Sequence, residues 1–118
     1  MLDHLVFLEC PARLKDDIRA YWAEKRPRFE RLLSTFRPEL CHLRLAVRRS
    51  KARWEARAVL SIPTATLAAK GDSESWPEGL DKIADRLTAE IRRHKAHLRH
   101  DDLHFHEGLH SARWQPAS

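Results

Sequence analysis

The sequence predicts an α+β domain in the order β-α-β-β-β-α, a four-stranded sheet with two helices packed on one face. Three observations carry this. Two long stretches repeat apolar residues at steps of three and four, the signature of amphipathic helices; three consecutive stretches alternate apolar and polar residues, the signature of half-buried strands. The first helical stretch also separates an apolar strand from the alternating run. A connection of that kind is a crossover, which favours parallel pairing of strands one and two.

Leu2 to Leu8 is apolar and β-compatible, with Val6 and Leu8 on one side and Leu5 and Phe7 on the other. It reads as a short strand with much of both faces covered. Cys10-Pro11 then turns the chain. From Ala12 to about Phe36, a helical stripe passes through Leu14, Ile18, Trp22, Lys25, Phe29, Leu32 or Leu33, and Phe36, with Trp22 and Phe29 as core anchors. Pro27 lies inside that stripe, where proline deletes a backbone bond and clashes with the preceding turn at about 3 kcal/mol. A kink or break near Arg26 is expected.

Leu40 to Arg48 alternates, with Leu43, Leu45 and Val47 on the inner side. After the basic link Arg49-Ser50-Lys51-Ala52, Arg53 to Ile62 alternates again, and Ala65 to Lys70 is a weaker fourth strand ending at Gly71-Asp72. Short links make these three an antiparallel meander. Cys10 and Cys41 then fall at opposite ends of the sheet, which argues against a disulfide. The last helix, Ser75 to Arg99, carries the stripe Trp76, Leu80, Ile83, Leu87, Ile91, His94 and Leu98. Ser75 followed by Glu78 has capping-box spacing, and Pro77 occupies the first turn, where its missing N–H costs nothing. Beyond Asp101 the periodicity stops. Residues 1–100 are therefore expected to form the domain and 101–118 a His-containing tail, docked through Phe105, Leu109 or Trp114.

With 118 residues and a formal charge of +5, the chain fits one basic domain whose partner is a polyanion. No apolar run approaches the roughly 20 residues of a membrane span, and the first ten residues do not resemble a signal peptide. A cytoplasmic protein without a membrane partner is expected. Two cysteines form neither a CxxC motif nor a disulfide framework. His94, His97, His100, His104, His106 and His110 are dense, yet their spacing matches no closed metal site. Gly-rich phosphate loops, GxSxG and HExxH are absent and Asn does not occur, so neither an enzyme, a cofactor nor a small-molecule substrate is expected.

What remains is basic charge on several elements: Lys25 to Arg31 on the first helix, Arg44, Arg48, Arg49, Lys51 and Arg53 around the meander, and Arg86 to Arg99 on the second helix. Such a distributed footprint suits phosphate neutralisation. Aromatic residues outside the expected core are scarce, which argues against base stacking and for recognition of folded RNA by shape and backbone.

The element order, together with GLDKIADRLTAEIRRHKAHL after Ala69-Lys70-Gly71 and with RFERLLSTF at Arg28 to Phe36, resembles the ribosome hibernation promoting factor and ribosome-associated inhibitor family (the sigma-54 modulation family), in its short form. The chain departs from the family pattern at Ser75-Trp76-Pro77, at Pro27 and in a first strand without glycine. The resemblance implies a fold like double-stranded-RNA-binding domains. It implies a non-catalytic factor, monomeric off the ribosome, that occupies the messenger and transfer RNA groove of the small subunit and holds ribosomes inactive under stress or in stationary phase. Carried over by position, Lys25, Arg28 and Arg31 of the first helix and Lys82, Arg86, Arg92, Arg93, Lys95 and Arg99 of the second would meet ribosomal RNA. The alternative is a regulatory module that kept the fold and binds another protein instead.

Overall fold

The computed structural model describes the backbone of residues 1–111 and the side chains of residues 1–99. Its elements are β1 (Leu2–Leu8), α1 (Ala12–Leu32), a 3₁₀ turn at Pro38–Leu40, β2 (His42–Ser50), β3 (Arg53–Ile62), β4 (Ala65–Ser73) and α2 (Trp76–Ser111). The sheet order is β1-β2-β3-β4. β1 pairs with β2 in parallel from Leu2↔His42 to Leu8↔Arg48, and the two hairpins are antiparallel. The first hairpin turns at Lys51, which takes a positive φ of 57°.

Alternation in the strands sorts the side chains cleanly. Leu43, Leu45 and Val47 of β2 and Trp54, Ala56, Ala58, Leu60 and Ile62 of β3 are buried. They join Ile18, Trp22 and Phe29 of α1 and Leu80, Ile83, Leu87 and Ile91 of α2 in one core. Both helices thus cover the same face of the sheet, and among the described residues the other face has no layer on it. β1 shows the consequence: its inner Leu5 and Phe7 pack on the core, whereas Leu2 is 56% and Leu8 47% exposed. The expectation that both faces of β1 are covered fails because an edge strand of a two-layer fold has only one layer to pack against.

Three further differences concern the helices and β4. α1 runs without interruption through Pro27, against the expected break near Arg26. Pro27 and Ala23 both lie on the exposed side, so the carbonyl deprived of its partner faces water, and buried anchors on either side, Trp22 and Phe29, hold the axis. The helix stops at Leu32 rather than Phe36, and Phe36 reaches the core from the following turn. β4 continues past Gly71 to Ser73.

In α2, the Gly79 N–H donates to the Ser75 carbonyl at 3.1 Å, which makes Ser75 the N-cap residue by its backbone. At the other end the backbone stays helical past Arg99 to Ser111, where the sequence has no Pro and, up to Glu107, no Gly. His94 bonds Thr64 in the β3–β4 turn at 2.7 Å, so the 36-residue helix outruns the sheet beyond that point. The expected docking of Phe105, Leu109 or Trp114 lies outside the described residues. Cys41 is buried, Cys10 is half-buried, and both are free thiols.

Candidate nucleic-acid interface

The nine cations expected to meet RNA fall into two groups. Five are engaged within the fold away from the helix ends. Lys25, on the inner edge of α1, puts its ammonium 2.6 Å from Asp81 of α2, with its side chain only 15% exposed. The Tyr21 hydroxyl donates to the same carboxylate at 2.8 Å, and the Tyr21 ring meets Trp76 edge-on at 5.4 Å. The hydrogen bond from Lys25 is the chief reason the Asp81 carboxyl is held below the usual carboxylate range. The bond to Asp81 correspondingly keeps the Tyr21 proton on, with burial adding to the effect. One turn further, Arg28 pairs with Asp85 at 3.2 Å. These contacts join parallel helices and hold the helix layer together.

Lys82 and Arg86 do a different job. β4 is an edge strand, and its outward carbonyls lack strand partners. The Lys82 ammonium donates to the Asp72 carbonyl at 3.1 Å and also sits 3.9 Å from Glu78. The Arg86 guanidinium donates to the Lys70 carbonyl. Both side chains pass over Gly71, where a Cβ would lie in ordinary contact with each at 3.5 Å. On the outer face of α2, Arg93 pairs with Glu90 at 2.7 Å.

The second group lies where the helices end. Lys95 donates to the Leu32 carbonyl in the last turn of α1 at 2.8 Å, which brings a positive charge to the negative pole of that helix. Around it, Arg31, Arg92 and Arg99 are exposed and form no ion pair or side-chain hydrogen bond among the described residues. Arg92 and Arg99 are seven residues apart and so share one face of α2, the face that carries Asp85 and Lys95 towards α1. Four charges therefore converge on one end of the helix layer with no carboxylate paired to them among the described residues. Such an end can neutralise phosphates and offers no stacking surface. The aromatic side chains Trp22, Phe29 and Trp54 are buried.

The nine cations carried over by position omit a third set, of which the basic charge noted around the meander includes only Arg44. The registers place Arg44, Arg57 and Lys70 on the open face of the sheet, with Arg57 directly opposite Lys70. None of the three makes an ion pair among the described residues, whereas Arg48 pairs with Glu9 at 3.2 Å and Arg53 with Asp72 at 3.5 Å. Alternation alone marks Arg44 and Arg57 as outward. Their convergence with Lys70 needed the pairing register.

No cluster of three or more potential metal ligands occurs among the described residues. His100, His104, His106 and His110 lie outside the described side chains. No helix among the described residues is long and apolar enough to cross a membrane.

No family model matches the sequence, and no curated protein does. Solved structures do share the fold. A ribosomal subunit interface protein from Coxiella burnetii superimposes with a TM-score of 0.64 at 15% identity, over 81% of this chain and 99% of that one. The N-terminal domain of Thermus thermophilus Protein Y superimposes with a TM-score of 0.66 at 17% identity, over 79% of this chain and 98% of that one.

Proposed function

We propose that this chain is a non-catalytic ribosome-binding factor of the hibernation factor family. In this reading it occupies the messenger and transfer RNA groove of the small subunit and holds translation off under stress. It acts as a cytoplasmic monomer until it docks. The observation that carries the proposal is the convergence of Arg31, Arg92, Lys95 and Arg99 at one end of the helix layer, in a fold that 81% of this chain shares with a ribosomal subunit interface protein. RNA backbone recognition needs positive charge that the fold has not already used. Of the nine cations expected from sequence, Arg31, Arg92 and Arg99 offer it, and Lys95, although bonded to the Leu32 carbonyl, adds a charge that no carboxylate among the described residues pairs with.

The two cysteines, one in the β1–α1 link and one just before β2, favour a binding role over a reacting one. The Cys10 and Cys41 thiols are pushed up by burial, which keeps them protonated and poor nucleophiles. A translation reaction programmed with a reporter message tests the reading. The protein should suppress synthesis in proportion to its ratio to ribosomes, and the triple variant Arg31→Glu, Arg92→Glu, Arg99→Glu should not. Full synthesis at excess wild-type protein would count against occlusion of the groove.

A further inference from the structure

The open face of the sheet offers a second surface of different chemistry. Its outward side chains form a grid fixed by the registers. Leu8 and Val6 of β1, Ala46 of β2, Val59 of β3 and Ala68 of β4 make an apolar diagonal across that grid. Arg44 and His4 lie along one flank, and Arg57, Lys70 and Arg48 along the other. A trough of about 660 Å³ opens between the diagonal and the second flank, lined by Leu8, Ala46, Arg57 and Lys70 and, at its far side, by the carboxylates Glu55 and Asp72. Two of the large apolar side chains most exposed among the described residues, Leu2 and Leu8, stand on this face.

We infer that this face docks an amphipathic helix of a protein partner, apolar along one edge and bearing carboxylates on both flanks. Charge complementarity identifies the occupant. Arg44, Arg57 and Lys70 form no ion pair among the described residues although Glu55 and Asp72 share the face, and Arg57 and Lys70 face each other across β3 and β4, an arrangement unfavourable by itself. A carboxylate row on the incoming helix relieves it. Nucleic acid fits less well: Phe7 and Trp54 point to the helix side, no Phe, Tyr or Trp stands on the outward grid to stack a base, and phosphates gain nothing from Leu8 and Val6. The central strands are fully paired, so the face offers side chains rather than a free strand edge, which suits a helix over an extended segment. Because the helices cover the opposite face, this surface stays available whether or not the helix ends bind RNA.

The test uses three labelled probes on the whole chain: a helical peptide with leucines along one edge and glutamates on both flanks, a peptide of the same composition in scrambled order, and an RNA hairpin. Fluorescence anisotropy should show the ordered peptide binding at least about tenfold more tightly than the scrambled one. The double variant Arg57→Glu, Lys70→Glu should weaken it by about tenfold or more, as loss of two cations at an interface does. Arg92→Glu with Arg99→Glu should leave the peptide unaffected and weaken the hairpin. Amide shifts of the wild-type protein provide a reading that needs no variant, and they should concentrate on β2 and β3. Equal binding of the scrambled peptide, shifts confined to the helices, or loss of the hairpin rather than the peptide in the Arg57 and Lys70 variant would each overturn the inference. Failure of the hairpin arm alone would tell against RNA binding and leave this surface standing.

Discussion

Asp81 receives both Lys25 and Tyr21 of the facing helix, so its charge state bears on how the two helices are joined. Its carboxyl is held below the ordinary value of about 3.9 by Lys25. A depressed folded-state value contributes stability that is present above the unfolded value and lost as pH falls through the folded one. The protein is therefore expected to lose this contribution progressively below about pH 4. Asp81→Asn should show a flatter acid limb in thermal melts as a function of pH. At neutral pH it should be less stable by about 1 kcal/mol, because the carboxylate is half exposed and its ion pair is screened. An unchanged acid limb would show that the contact does not matter in solution. The identity of these charges was plain in the sequence, but their employment was not. Lys25 and Asp81 stand in different helices, and only the packing of α1 against α2 reveals that this lysine is used internally while Arg31, one turn beyond Arg28, is left for a partner.

At the level of elements, the strands were the most legible. β3 runs from Arg53 to Ile62 as its alternation requires, because one buried face imposes a period that a slip by one residue would invert. Helix ends and interiors were less so. Pro27 carries a local penalty that reads as a break, yet tertiary anchors at Trp22 and Phe29 outweigh it. That penalty should be recoverable. Pro27→Ala is expected to stabilise the protein by about 1–2 kcal/mol, the helix-interior cost of proline less the entropy it removes from the unfolded chain. Urea denaturation reads this directly, and a destabilised variant would mean that the proline fits its site without cost. The extension of α2 to Ser111 escaped the sequence for the opposite reason. Hydrophobic periodicity reports packing on the sheet, and the backbone of α2 continues beyond the β3–β4 turn where His94 meets Thr64. The roles of Lys82 and Arg86 escaped it too, since edge carbonyls become visible only once β4 is known to be the edge strand.

For the whole molecule, two layers divide the surface into a helix side and an open sheet side, and each has its own unpaired cations. The helix side concentrates them at Arg31, Arg92, Lys95 and Arg99. Cosedimentation with purified small ribosomal subunits at low and high salt, with wild type beside the Arg31→Glu, Arg92→Glu, Arg99→Glu variant, tests the central claim most directly. Arg86 and Lys95 are left intact in that variant because they also hold β4 and α1 in place. The wild type is expected to pellet with the subunit at low salt and to lose roughly a hundredfold in affinity from 50 to 200 mM salt if about four phosphates are neutralised. The variant should remain in the supernatant throughout. Wild-type protein that stays in the supernatant at low salt, or a variant that pellets as well as the wild type, would contradict that claim.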